Sequence, residues 1–194
     1  MASSRDLAAE LAAATSAMRR HHLDAMCLRY NIPPTAILDR IGVTRVRVEG
    51  AFYEPASDGV EMVLIASFEV PPRLPDGRWR VSNEVVDLLA FRPVDPSRWW
   101  SRRGIVAALG EESLPSFDDA SVWVWRDPLA WLKSGAIGIC PIDPDPASVR
   151  DVLLQLPGID AEDVAHGREI ESLMSRSWTR LPPIYVPEPV RGTA

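Results

Sequence analysis

Residues 43–70 read VTRVRVEGAFYEPASDGVEMVLIASFEV. The apolar residues of this stretch recur at every second position, and that period decides the fold. Val46, Val48 and Phe52 fall on one side while Arg45, Arg47 and Glu49 fall on the other, the pattern of a strand with one wet face. Pro55, Asp58 and Gly59 mark a turn. In residues 61–70, Met62, Leu64, Ala66 and Phe68 share one face. Val63 and Ile65 occupy the other, beside Glu61, Ser67 and Glu69. A strand that is apolar on both faces belongs near the centre of a sheet.

Moving outward, residues 73–103 read RLPDGRWRVSNEVVDLLAFRPVDPSRWWSRR. Strands are predicted around Trp79–Val81 and Glu84–Phe91, with Arg98–Arg102 returning after a turn at Pro93–Pro96. Consecutive strands with short links favour an antiparallel meander over βαβ units. Further on, SVWVW (121–125) and residues 137–142 read as strands.

The two ends of the chain are helical. Ser3 or Ser4 caps a first helix in which Asp6 suits the first turn and Leu7, Leu11, Ala14 and Met18 recur at helical spacing. The helix continues or restarts through His22 to Arg29. A short second helix is expected from Thr35 to Ile41, with Gly42 as its left-handed stop. Toward the C-terminus, Asp127-Pro128 and Asp145-Pro146 each place a capping carboxylate before a proline at the first helical position. Asp160 is expected to cap the last helix, with Asp163 closing a short-chain capping box.

The fold class is therefore α+β: a mostly antiparallel twisted sheet (a meander of roughly four to six strands) flanked by N-terminal and C-terminal helices that meet one sheet face. Residues 1–180 form a single α+β domain, and residues 181–194 a proline-rich extended tail.

The chain has 194 residues, 46% of them hydrophobic, enough for one sizeable core. No apolar run is long enough for a transmembrane helix, and Asp6 and Glu10 interrupt any secretory h-region. Cys27 and Cys140 stand far apart in apolar surroundings and read as reduced and buried. These features point to the cytoplasm.

The net charge of −6 is uneven. Residues 73–103 carry seven arginines against Asp76, Glu84, Asp87 and Asp95, whereas residues 104–171 are strongly acidic. A local basic patch on an acidic body suits an acidic partner or a nucleic acid. The chain as a whole lacks the positive balance of a non-specific DNA binder. Lys133 is the sole lysine, an arginine bias that coding composition explains as well as function does.

Arg78, Trp79, Arg80, Arg98, Trp99, Trp100, Arg102 and Arg103 form the candidate binding surface. Trp and Arg are favoured in protein interfaces, and the same pair stacks on bases and meets phosphates. Packing alone also accounts for them, because adjacent strand residues face opposite ways and one of Trp99 and Trp100 is then buried. Asp87, inside VVDLLAF, needs a donor if buried, and Arg80, Arg102 or the backbone could supply it.

Asp143 and Asp145, in GICPIDPDPASV, end an apolar run just before a helix. In this they resemble the metal-holding half of a Toprim-type phosphoryl-transfer site, which implies Mg²⁺. Pro144 between them restricts the geometry, no partner glutamate segment stands out, and Asp145 already has work as a helix cap. His21, His22 and His166 show no zinc-ligand spacing, and neither a dinucleotide fingerprint nor a P-loop is present.

The expectation is thus a non-enzymatic cytoplasmic binding or adaptor protein, without a cofactor, that uses the Arg/Trp surface for a protein partner or for self-association. The alternative is a nucleic-acid-binding protein or an Mg²⁺-dependent nucleic-acid-processing protein. No membrane partner is expected.

Overall fold

A computed structural model describes residues 3–38, 40–71, 82–116, 121–175 and 184–185. The sheet predicted from the period-2 pattern is present and closes on itself. Its strands are β1 (Ile41–Glu49), β2 (Phe52–Pro55), β3 (Val60–Phe68), β4 (Val85–Arg92) and β5 (Asp95–Ser101), arranged as a barrel in the order β1-β2-β5-β4-β3. All contacts are antiparallel except β2 with β5, which are parallel and joined through the single pair Phe52↔Ser101. The expected strand at Trp79–Val81 lies outside the described residues.

Residues 43–55 make a hairpin, not one strand. The chain reverses at Gly50, whose φ of 59° is a conformation that glycine adopts at no steric cost. Alternation alone does not reveal this, because Val48 and Phe52 keep the same period on either side of the turn.

β3 lies between β1 and β4, as its two apolar faces demand. Met62, Leu64 and Ala66 join a cluster with Tyr53, Leu88, Ala90 and the α1 residues Leu7, Leu11 and Ala14, where α1 spans Ser4–Ala17. Val63 and Ile65 join a second cluster with Met26, Ile32, Ile37, Leu89, Phe91, Leu109, Trp131, Leu132 and Ile142. Leu64 and Ile65 are both fully buried, and each such side chain contributes about 1.5–3 kcal/mol of transfer free energy.

The N-terminus of α1 carries the expected cap. Asp6 N donates to Ser3 Oγ (3.3 Å) and Ser3 N donates to Asp6 Oδ2 (2.8 Å). The helix restarts as α2 (Arg20–Asp24), followed by one π-helical turn over Ala25–Arg29. The helix expected over Thr35–Ile41 is reduced to a 3₁₀ turn at Pro34–Ala36, because Ile41 already pairs with Ile65 in the barrel. Gly42 is likewise a strand residue and not a helix stop. A Cβ there would stand 2.5 Å from Ala14 Cβ, so its bare backbone is what lets α1 lie against β1.

The second half adds short strands: β6 (Ala108–Leu109) antiparallel to β8 (Cys140–Pro141), and β7 (Val122–Val124) parallel to β9 (Ile159–Ala161). β9 also pairs in parallel with β10 (Ile184–Tyr185). Helices α3 (Pro128–Lys133) and α4 (Pro146–Leu153) lie between β7 and β9 in sequence. The antiparallel meander therefore holds for the consecutive strands of residues 41–101 and gives way to mixed pairing after it, antiparallel for β6–β8 and parallel for β7–β9–β10. Strands of three residues are too short to show a period.

Asp127 and Asp145 cap α3 and α4 as expected, accepting from Ala130 N (2.8 Å) and Ala147 N (3.1 Å). The last helix, α5 (Val164–Met174), differs: Asp163 is its N-cap, accepting from His166 N (2.8 Å), while Asp160 is a β9 residue that accepts from Ser121 Oγ. α4 and α5 pack on β7 and β9 in a third cluster, through Val149, Val152, Leu153, Ile170 and Met174. They do not share a sheet face with α1. Cys27 and Cys140 are free thiols, the first half-buried and the second buried. No helix among the described residues is long and apolar enough to cross a membrane.

Candidate functional site

β5 positions the centre of the predicted surface. Alternation along the strand sends Trp99 and Trp100 to opposite faces. Trp99 packs against the cluster containing Phe91 and Trp131, and its indole N–H donates to the Ile142 carbonyl (2.9 Å). Trp100 packs on the α1 side, and the exposed Arg98 guanidinium lies 5.5 Å from its ring centre. Both indoles are half-buried. Arg78, Trp79 and Arg80 lie outside the described residues.

A cleft of about 480 Å³ opens where β2 and β5 part. Ser97, Arg98, Trp99, Trp100 and Ser101 form one wall, and Gly50, Ala51 and Phe52 another. Ile142, Asp143 and Pro144 form a third side. Phe52 is 50% exposed. Its ring lies over Gly104, where a Cβ would come within 2.7 Å of Phe52 Cε1, and Gly104 has a φ of 67°. Gly104 is thus held to glycine both by its backbone conformation and by the ring above it.

Asp87 fixes the segment that follows β5. It is 2% exposed, and its carboxylate accepts from Leu88 N (2.8 Å), Ser101 Oγ (2.7 Å), Arg103 N (2.9 Å) and Ile105 N (3.1 Å). Among the described residues the donors are backbone groups and a hydroxyl, and Arg102 is not one of them; Arg80 lies outside the described residues. Arg102 reaches elsewhere: its Nε donates to Glu10 Oε2 (3.1 Å), while Tyr53 OH donates to Glu10 Oε1 (2.9 Å). Burial, and then the Glu10 charge, push the Tyr53 hydroxyl well above its ordinary pKa. Arg103 donates from Nη1 to the Val86 carbonyl (3.2 Å), and its buried Nε has no hydrogen-bond partner among the described residues. The structure thus brings Arg98, Trp99 and Trp100 together at the cleft and engages Arg102 and Arg103 in the framework behind it.

Asp143 lines the same cleft, where its Oδ1 accepts from Asp145 N (2.8 Å). Asp145 spends both oxygens on the start of α4, accepting from Ala147 N and Ser148 Oγ (each 3.1 Å). These bonds, the Ala147 bond foremost, hold its carboxyl below the usual pKa. Among the described residues, no three His, Cys, Asp or Glu side chains are grouped so as to hold a metal ion.

The sequence reading missed three parts of this region. Phe52, Gly104 and the Ile142 carbonyl complete the cleft: barrel closure brings Phe52 to the end of β5, Gly104 follows that end in the chain, and Ile142 arrives from the second half of the chain. Arg40 is the fourth surprise. Its guanidinium lies 5.1 Å from the Phe68 ring centre and 5.2 Å from that of Trp131, and Nη1 donates to Glu112 Oε1 (2.6 Å). It ties β3 to α3 across sequence distances that no local pattern records. Beside it, burial raises the Glu111 carboxyl above its usual pKa, even though that carboxylate accepts from Ala108 N (2.5 Å).

No family model, curated protein or solved structure matches this chain.

Proposed function

We propose that the protein is a non-enzymatic cytoplasmic binding or adaptor protein, and that the β2/β5 cleft is where a protein partner is held. The observation that carries this reading is the meeting of Arg98, Trp99 and Trp100 with the half-exposed Phe52 around one opening. Aromatic anchors in a partly desolvated recess, with one arginine at the edge, are the composition of an interface hot spot. A protein partner is preferred to a polyanion because the cations lining the cleft are few among the described residues. Arg102 is paired with Glu10, and Asp143 lines the same cleft as Arg98. Phosphate-led binding asks for several free cations on one track.

The test is photocrosslinking in cells with benzoylphenylalanine replacing Phe52. A discrete protein adduct that is lost on Arg98→Glu or Trp100→Ala supports the reading. A nuclease-sensitive adduct favours the nucleic-acid alternative, and adducts no different from those of a probe at the distant exposed Leu28 overturn the cleft.

A further inference from the structure

We infer that the partner enters as an extended strand that adds to the open edge of β5, with an acidic side chain facing Arg98. This rests on the cleft being the binding site and specifies what it binds.

In an antiparallel ladder, successive residues turn their N–H and C=O groups alternately toward one neighbour and the other. Two bonds set that alternation on β5. Arg102 N donates to Leu88 O (2.8 Å), toward β4, and Ser101 N donates to Ala51 O (3.0 Å), toward β2. The pairs Trp100↔Ala90 and Trp99↔Phe91 continue it without a break. Trp99 therefore presents both its backbone groups to the β2 side, as Ser101 does. Ser101 finds β2 there. Trp99 does not, because β2 meets β5 at Phe52↔Ser101 alone and the chain turns away at Gly50 and Ala51. Among the described residues, no hydrogen bond reaches the Trp99 N–H or C=O.

An unpaired strand edge is a template for another extended backbone. Edges are usually guarded by proline or a bulge, and β5 contains both, but neither stands at Trp99. Both lie at the start of the strand, where the β4–β5 register shifts between Arg92↔Asp95 and Phe91↔Trp99, and Trp99 stands after them. The open backbone coincides with the cleft, so an added strand would also lay alternate side chains against Phe52 and the indoles.

Charge selects the occupant. Arg98 is exposed, and its contact among the described residues is the Trp100 ring, with no carboxylate partner. A second copy pairing antiparallel about Arg98 would set two arginines directly opposite, which is destabilising. A foreign segment with apolar residues at alternate positions and an acid opposite Arg98 meets both demands.

The probe is a blocked six-residue peptide of alternating threonine and valine with one central glutamate, titrated into the ¹⁵N-labelled full chain. In the free protein the Trp99 amide should exchange with solvent at least tenfold faster than the Trp100 amide, which pairs with Ala90. Peptide should shift the Ser97 and Trp99 amides and slow Trp99 exchange. N-methylating the peptide at alternate positions should weaken binding about tenfold. Replacing the central glutamate by lysine should weaken binding in the native chain and strengthen it in Arg98→Glu.

Slow Trp99 exchange in the free chain, or no response to millimolar peptide, overturns the inference. Binding that is indifferent to N-methylation also overturns it, while leaving the cleft as a side-chain site. Trp99 protection that grows with protein concentration overturns it in favour of self-association. Failure of the Phe52 crosslink alongside a normal peptide response would count against the cleft's cellular role only, so the two readings fail separately.

Discussion

Replacing Asp87 by asparagine tests the frame behind the cleft. The substitution conserves shape but turns one carboxylate oxygen into an NH₂ group. Oδ1 accepts from Leu88 N and Arg103 N, and Oδ2 from Ser101 Oγ and Ile105 N. Whichever way the amide is turned, its NH₂ meets at least one main-chain N–H head-on. The better choice places NH₂ toward Ser101 and Ile105, since the Ser101 hydroxyl can rotate to accept while the Ile105 N–H cannot. One charge-assisted bond is then lost outright and the others become neutral. The bond lost outright is worth about 1.5–3 kcal/mol, and the weakening of the other bonds is largely offset because a charge is no longer buried, so the net loss is about 2–4 kcal/mol. For a chain of this size, each 1 kcal/mol moves Tm by about 2–4 °C, so melting should occur roughly 4–16 °C lower. Differential scanning fluorimetry with a circular-dichroism check measures it. Ser101→Ala, which removes the hydroxyl bond to Asp87 and leaves the exposed Gly104 N–H to water, should cost less. An Asp87→Asn protein melting within 2 °C of the native chain would refute the assignment of Asp87 as the anchor of residues 101–105.

Three further outcomes are expected. Gly42→Ala should destabilise by about 1–3 kcal/mol, because the new methyl meets the Ala14 backbone, which cannot step aside; urea titration reads this directly. Gly104→Ala should displace Phe52 and strain a left-handed backbone, abolishing the Phe52 crosslink while the barrel still melts cooperatively. His166 is buried, and its imidazole pKa is held below the ordinary value first by burial and then by Arg126. The unfolded chain binds that proton more readily, so stability is complete above about pH 6.5 and declines as pH falls through the depressed folded value. Urea midpoints from pH 8 to 5 should show this decline, and His166→Gln should flatten it.

Elements whose sequence carries a period were legible, and those fixed by distant contacts were not. β3 was readable down to its two faces, because Met62, Leu64 and Ala66 oppose Val63 and Ile65 over enough residues to show alternation. The caps at Ser3, Asp127 and Asp145 were readable because a capping bond spans three residues or fewer. Gly42 was misread because a glycine before a β pattern looks the same whether it ends a helix or admits one from outside. Asp163 displaced Asp160 as a cap because Ile159–Ala161 was drawn into a parallel sheet by β7, some 35 residues away in sequence. The site divides in the same way. Arg98, Trp99 and Trp100 stood out by composition, whereas Phe52 and Gly104 became neighbours only through barrel closure. Arg102 drew attention for its charge, yet its partner Glu10 lies on the first helix.

The two-faced sheet also bears on synthesis of the chain. By Ser101 all five barrel strands have been made, and the face under α1 already has its cover, since Leu7, Leu11 and Ala14 came first. The opposite face waits for Leu109, Leu129, Trp131, Leu132 and Ile142. A nascent chain stopped near residue 105 would display Val63, Ile65, Leu89 and Phe91 with much of their covering not yet translated. Such a fragment would be an aggregation-prone client for chaperones, and the span from Leu109 to Ile142 acts as the shield that ends that exposure.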